Sequence, residues 1–369
     1  MEDLGRMTAK PMTADLRFAL GFSRLRQVFV YMTDQCNLRC SHCFYKPRLT
    51  TEPRELASDV LFGLLHLFAE LGARKLSLLG GEPMLYGRSS GNAPLWNVVR
   101  EAHRLGFTYV RVVTNGLAPA AAYRQLSLAG LDELTISLEG DTPELNDRLR
   151  GPGTFRSAVG AVTAAADLGL PVQVTMSVHT GNVGVDESGK PLIERAIIWA
   201  AHNRVSLLNL HPLIKMGVER DAWTGPYHIE PAQWIRAYEA IDRARSDAYP
   251  IPVRMPIRFV TQDAYSADPA RYQWCPLRIG ERVEVHANGQ IQSCALSNGT
   301  SRSVAHFVAG KERGQVQWAR DENEKASVLR AGSGPGCRMM RAPLSGLVPV
   351  CISLKPGQTE FAHRSGGQD

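Results

Sequence analysis

Residues 27–43 read QVFVYMTDQCNLRCSHC, and the fold and the chemistry both follow from this stretch. Its first six residues, Gln27 to Met32, form an apolar run of strand character. Just beyond, Cys36, Cys40 and Cys43 stand at C-x3-C-x2-C spacing. Three thiolates on one short loop can each bind one iron of a cube-shaped iron–sulfur cluster. The fourth iron then keeps an open position for an outside molecule, which catalysis needs and a structural metal site does not. A zinc knuckle is the competing reading. Structural zinc takes four protein ligands, usually in C-x2–4-C pairs. The only further candidate nearby is His42, between two of the cysteines.

Working outward, GGEP (Gly80 to Pro83) follows the triplet by about 37 residues and ends a second apolar run, Lys75 to Leu79. VVTNG (Val112 to Gly116) ends a third run and ISLEG (Ile136 to Gly140) a fourth. A lone GGEP is an ordinary strand-to-helix turn in most sequences. The triplet followed by these three motifs, in this order and each at a strand end, resembles the radical S-adenosylmethionine enzymes. The resemblance runs from about Val28 to His211.

That resemblance implies a partial barrel and a set of roles. Cys36, Cys40 and Cys43 would hold a [4Fe–4S] cluster that binds S-adenosylmethionine. His42 occupies the usually aromatic position where the family packs adenine; its plainer reading is a surface imidazole. Gly80 and Gly81 would admit the methionine end of the ligand, and Glu82 its amino group. Thr114 and Asn115 end the third strand. Ser137 and Glu139 end the fourth, where the family holds the methionine carboxylate and the ribose. Arg150, in RLRGPGTF, matches an arginine that often pairs with the carboxylate, as bidentate guanidinium geometry allows. A solvated helix-end arginine is the alternative. Asn182 and His211 follow the fifth and sixth strand candidates at the same rim, although a lone histidine before proline is commonly a packed structural residue.

The length of 369 residues suits one large or two medium domains, and 44% apolar residues can fill a sizeable core. The net charge of +6 is mild, and Lys and Arg are scattered, so no nucleic-acid partner is expected. At most the charge favours acidic or phosphorylated substrates. No run reaches the ~18 apolar residues of a membrane span, and the first 26 residues lack a signal-peptide core. A cytoplasmic protein without a membrane partner is expected, so its seven cysteines are not expected to pair as disulfides.

Six strand candidates, 27–32, 75–79, 108–113, 133–138, 171–178 and 205–210, are rich in Val, Ile and Leu, as strands buried on both faces are. Helical patterns alternate with them. One begins at Ser58, a candidate N-cap, and stops at Gly72; another carries Phe155, Val159 and Val162 and stops at Gly169; a third starts at Pro231. Six β–α units in series imply a parallel sheet. With the resemblance, the expected fold is α/β: a partial (β/α)6 TIM-like barrel with a small C-terminal auxiliary-cluster domain of twitch/SPASM-like type. Ligands then sit at the C-terminal strand ends. Pro250, Pro252 and Pro256 mark a change of texture. The expected division is a 1–26 N-terminal extension, a 27–248 core, and 249–369 as the auxiliary domain and tail.

Beyond the boundary, RVEVHANGQIQSC reads as a hairpin turning at Asn288-Gly289, a type I′ signal. Cys275 precedes Gly289 by thirteen intervening residues and Cys294 follows it by four. This spacing resembles the opening of SPASM and twitch extensions, which bind auxiliary [4Fe–4S] clusters. Only Cys337 and Cys351 follow, fewer than the full SPASM form carries. A one-cluster twitch arrangement with Cys275, Cys294, Cys337 and Cys351 fits better, four thiolates matching four irons. A zinc site, or buried free thiols at Cys337 and Cys351, are the alternatives.

The implied activity is hydrogen abstraction from carbon, leading to oxidation of a peptide (a ribosomal precursor) or a small natural product. The alternative is a redox-neutral epimerase or decarboxylase acting on a sugar, aminoglycoside or nucleoside. An epimerase must return hydrogen, often from a free thiol. If all seven cysteines are ligands, no thiol remains, although a tyrosine can also donate. The resemblance further implies an electron donor such as flavodoxin or ferredoxin. About 26 residues are too few for a leader-binding domain, so a separate leader-binding protein is expected for a peptide substrate.

Overall fold

The computed structural model describes residues 25–45, 49, 54–88, 90–214, 226–244, 249–269, 281–292, 294, 305–308, 315–318 and 347–351. The N-terminal extension up to residue 24, Cys275, Cys337 and the tail after 351 lie outside the described residues.

Strands and helices alternate along the first two thirds of the chain. In order they are β1 (Gln27–Tyr31), α1 (Ser58–Glu70), β2 (Lys75–Leu79), α2 (Leu95–Arg104), β3 (Tyr109–Thr114), α3 (Ala120–Leu128), β4 (Glu133–Ser137), α4 (Pro143–Arg150), α5 (Thr154–Asp167), β5 (Val172–Val178), α6 (Leu192–His202), β6 (Leu207–Pro212) and α7 (Pro231–Ala244). A two-residue β7 (Val253–Arg254), β8 (Ile257–Thr261) and α8 (Gln262–Ala267) follow. The chain continues through β9 (Arg282–His286), β10 (Gln290–Gln292), β11 (Ala305–Val308), β12 (Gln315–Trp318) and β13 (Leu347–Cys351).

β1 to β7 are parallel neighbours in sequence order, the arrangement of a partial α/β barrel. The sheet is longer than six strands. β7 adds to β6 past residue 248, and β9 pairs in parallel with the other side of β1, Gln27 opposite Arg282 and Tyr31 opposite His286. β10, β11 and β12 extend that edge antiparallel, while β13 pairs with β8 in a separate two-stranded sheet. The hairpin of the C-terminal part is therefore hydrogen-bonded into the barrel wall.

Both faces of the strands are largely buried, but only the outer one is uniformly apolar. Val28, Val30, Leu76, Leu78, Val110, Val112, Leu134, Ile136, Val174, Leu208 and Leu210 are fully buried in one core with the helices. The alternate residues Ser77, Arg111, Glu133, Thr135, Gln173, Thr175, Asn209 and His211 face the other way. Counting Val, Ile and Leu registered the outer face and passed over the polar inner one.

Two local expectations change. Ser58 is the first residue of α1 rather than its cap: Ala57 takes the cap position, and the Ser58 amide donates to Asn92 Oδ1 at 2.8 Å. The turn between β9 and β10 is not type I′, which needs positive φ at both central residues. Only Gly289 has it, at 85°, and the pairing of Val285 with Ile291 leaves a three-residue loop, 287–289. Asn288 Oδ1 accepts from the Gln290 amide at 3.1 Å and so stabilises the loop from its own side chain.

Candidate active site

The loop after β1 carries the three cysteines to the C-terminal end of the barrel strands. The Leu38 amide donates to Cys36 Sγ at 3.4 Å, and the Cys43 amide to the Cys40 carbonyl at 3.3 Å. The Ser41 amide donates to the Leu149 carbonyl at 2.9 Å, docking the loop on the end of α4. Burial pushes all three thiols up, Cys43 to about 11, and Arg150 pulls each part of the way back. Thiols this reluctant to ionise alone are ones that a metal must deprotonate. Among the described residues no three His, Cys, Asp or Glu converge tightly enough to chelate a single ion. Three cysteines that each take their own iron do not need that convergence.

The GGEP turn packs against this loop. The Gly81 amide donates to the Thr33 carbonyl and the Glu82 amide to the Gln35 carbonyl, each at 2.7 Å. A Cβ on Gly80 would lie 2.6 Å from the Thr33 oxygen, and one on Gly81 2.2 Å from the Gln35 oxygen. Glycine is required here by the cysteine loop itself. Glu82 is buried. Its carboxylate accepts from the Thr114 hydroxyl at 2.7 Å, the Asn115 amide at 2.8 Å and the Met84 amide at 3.0 Å. Burial nonetheless raises its pKa. Asn115 Nδ2 donates to Asn37 Oδ1 at 2.8 Å, so the third-strand motif also grips the cysteine loop.

Glu139 is the hub of the rim. Its Oε1 accepts from His42 Nε2 at 3.0 Å and Arg150 Nη1 at 2.7 Å, and its Oε2 from the Ser177 amide at 2.7 Å. Burial alone would raise its pKa; His42, Arg150 and the Ser177 amide outweigh burial and hold it far below the usual carboxylate range. Arg150 stays charged despite burial because Glu139 and the thiols surround it. Two buried polar atoms here have no protein partner, His42 Nδ1 and Arg150 Nε. Buried polar groups are almost always paired, so this corner is built to receive a polar ligand. Three thiols with these two open polar atoms fit a three-cysteine cluster and a ligand bound beside it.

The remaining expected residues take different places. Ser137, at the end of β4, lies opposite Thr175. Asn182 is engaged with backbone: Nδ2 donates to Ser177 O at 2.9 Å and Glu139 O at 3.3 Å, and Oδ1 accepts from the His179 amide at 2.7 Å. His211 lies within β6, opposite Ser177. Cys294 follows β10, and Cys351 ends β13 opposite Ile257. Gln292, two residues before Cys294, pairs with Glu284, which in turn lies opposite Phe29 of β1.

Three contributors were not anticipated. His179 donates from Nε2 to the Glu139 carbonyl at 2.8 Å while its Nδ1 accepts from the Gly181 amide at 3.1 Å. Asn146, fully buried on α4, accepts from the Glu139 amide at 2.9 Å. Tyr31, Tyr45 and His286 stack with centroids 4.9 and 4.4 Å apart, joining the cysteine loop to β9. For Asn146 a signal existed, a polar residue on the inner side of a short helix after SLEG. For the other two no local pattern did.

Residues 30–189 match the family described as the Radical SAM superfamily. The GTP 3',8-cyclase of Limosilactobacillus fermentum is 34% identical over 144 residues, spanning 38% of this chain and 42% of that protein. The PqqA peptide cyclase of Rhizobium meliloti is 31% identical over 184 residues, 49% of this chain and 46% of that protein. The chain thus spans about half the length of these curated relatives. SuiB of Streptococcus suis, solved bound to precursor peptide SuiA, superposes with a TM-score of 0.60 at 15% identity, covering 79% of this chain and 65% of that one. Native anSMEcpe with bound AdoMet gives 0.56 at 13%, covering 84% of each. At these identities the two structures establish a shared fold.

Proposed function

The chain belongs to the radical S-adenosylmethionine superfamily, and from that premise we propose that it oxidises a carbon centre in a peptide or small natural product by hydrogen abstraction. The observation that carries the reading is the convergence of Cys36, Cys40, Cys43, Glu82 and the His42–Glu139–Arg150 cluster on one rim above a polar barrel interior. When bound, the cluster and S-adenosylmethionine supply a 5'-deoxyadenosyl radical able to take hydrogen from an unactivated carbon. The protein's residues do the rest. The three cysteines hold the cluster. Glu82, Asn115, Ser137 and Arg150 orient the amino-acid end of the ligand, and His42 and Glu139 its nucleoside end. Buried Arg150 balances thiolate charge, and the closely packed GGEP turn keeps water out.

The oxidative half of the proposal rests on the second cysteine set. Cys275, Cys294, Cys337 and Cys351 would bind an auxiliary [4Fe–4S] cluster in residues 249–369. The β9–β10 hairpin that leads to Cys294 is hydrogen-bonded to β1, which supports a cluster held in fixed relation to the barrel. Such a cluster can accept the electron a substrate radical must lose. SuiB with its precursor peptide and the PqqA peptide cyclases favour a peptide substrate. A separate leader-binding protein and a flavodoxin or ferredoxin complete the reading. The GTP 3',8-cyclases favour the second reading, redox-neutral chemistry on a nucleoside or related small molecule.

Anaerobic reconstitution tests the proposal. About eight irons per chain are expected for two cubes, with dithionite-driven cleavage of S-adenosylmethionine. About four irons at full reconstitution would remove the auxiliary cluster and the oxidative reading with it.

A further inference from the structure

The inner face of the barrel holds a polar network that the rim chemistry leaves unused. β5, β6 and β7 place Gln173, Thr175, Asn209, His211 and Arg254 on it. Arg254 bridges the strands: its Nε donates to Asn209 Oδ1 and its Nη2 to Gln173 Oε1, both at 3.1 Å. A guanidinium only donates. The Asn209 oxygen therefore faces Arg254, and its amide nitrogen faces away. That nitrogen lies 2.7 Å from His211 Nε2. Since the amide donates, Nε2 must accept, and the ring carries its proton on Nδ1. Burial, with Arg254 and Arg111 nearby, pushes the His211 pKa down to about 4, so the neutral form persists. Among the described residues Nδ1 makes no hydrogen bond, and unlike Nδ1 of His42 it is not sealed from solvent.

His211 sits opposite Ser177, whose amide donates to Glu139 at 2.7 Å. His211 therefore stands on the inner face directly beside the rim. We propose that His211 is a substrate-binding residue, its Nδ1–H a fixed, uncharged donor for a carboxylate or carbonyl oxygen, with Asn209 and Arg254 as positioning residues behind it. The inference rests on the reading above that the barrel interior receives the substrate. Arg254 and Arg111 stand near the ring, but Glu133 lies 3.8 Å from Arg111 on the same face and Glu139 opposes them at the rim, so it is the donor geometry of the neutral ring that selects an acceptor oxygen over an ammonium or guanidinium group.

The full-length, cluster-loaded protein labelled with 15N-histidine tests this directly. The His211 signals, assigned by their loss in His211→Phe, should show a protonated Nδ1 and an unprotonated Nε2. Titration with sodium acetate, acetamide and ethylammonium chloride at constant ionic strength then reads the ligand class. A saturable shift of the Nδ1–H with acetate identifies a charged acceptor, and with acetamide a neutral one. Either supports the proposal, and His211→Phe should weaken that binding about tenfold, read at the Ser177 amide of uniformly 15N-labelled protein. No response to either probe, or a response to ethylammonium alone, overturns it. In Asn209→Asp the new carboxylate demands a donor, so Nε2 should gain a proton; an unchanged Nε2 signal overturns the positioning role and needs no variant of His211. Cleavage of S-adenosylmethionine by the unaltered protein, run in parallel, separates the two ideas. Its absence sinks the functional reading, whereas intact cleavage with silent titrations sinks only this one.

Discussion

The two faces of the same barrel strands differ in what chose their residues. On the outer face Leu76, Leu78, Leu134, Ile136, Leu208 and Leu210 are fully buried against the helices. On the inner face the neighbouring positions carry Ser77, Glu133, Thr135, Asn209 and His211, hydrogen-bonded along a strand (Thr135 to Glu133, Asn209 to His211) and across strands by Arg111 and Arg254. Burial of apolar area pays for the outer face at about 25 cal/mol per Å². A polar network of the inner kind gains little net stability. Folding needs one face, and chemistry accounts for the other.

If that division holds, the largest effect should come from residues that serve chemistry alone. Replacing Cys36, Cys40 and Cys43 together by alanine should remove about half the iron and all cleavage of S-adenosylmethionine. Far-ultraviolet circular dichroism should be unchanged. Iron content, product chromatography and the spectrum check this together. Loss of the helical spectrum would mean that the loop is part of the fold's support and blur the distinction.

Glu139 should break the division, because it belongs to both sides. Its carboxylate is the charge partner of buried Arg150 and the acceptor for the Ser177 amide. Glu139→Gln leaves a buried guanidinium without a counter-charge, a loss of about 3–5 kcal/mol. Denaturant unfolding of the apo-protein measures it. A loss under about 1 kcal/mol would mean that water reaches Arg150 and that the rim is wetter than its burial indicates.

A neighbouring pair sharpens the comparison at single-residue resolution. Leu208 is 0% exposed on the outer face, and Asn209 follows it on the inner face. Leu208→Ala should cost about 2–5 kcal/mol through the lost methyl groups and the cavity left behind. Asn209→Asp should cost less stability while changing the His211 ring. Equal losses in urea titrations would refute a purely functional inner face.

The sequence was legible wherever the chemistry is local. The three cysteines, GGEP, TNG and SLEG each lie within a few residues, and their glycines and carboxylates sit where strand ends predict. The inner face is not local. Arg111 reaches Ser77 across 34 residues, and Arg254 reaches Asn209 across 45 and Gln173 across 81. Each of β2 to β6 contributes only one or two of these polar residues, spaced by two where there are two, which reads as scatter until register is known. The parallel pairing of β9 with β1 was hidden for the same reason, since about 250 residues of chain separate the partners.

The last expected effect is a slope in pH, small at each half-unit step, and it follows from His211. Arg254 on β7 and Arg111 on β3 stand near its ring, with Glu139 opposing them from the rim. Burial and the two arginines together bring the folded pKa to about 4, against an unfolded value of about 6.5. The sign follows from which state takes up the proton. Above about pH 6.5 the ring is neutral folded and unfolded, and it costs nothing. Between about 6.5 and 4 only the unfolded chain binds the proton, so stability falls as pH falls, by up to about 1.4 kcal/mol per pH unit. Below about 4 both states are charged and the slope ends. Carboxylates add slopes of their own, so the measurement is a difference. Unfolding free energies of the unaltered protein and of His211→Gln, taken at half-unit steps between about pH 7 and 4.5, should converge as pH falls. Parallel curves would mean that His211 titrates normally, that the neighbouring carboxylates cancel Arg254 and Arg111, and that the inner face is open to water throughout.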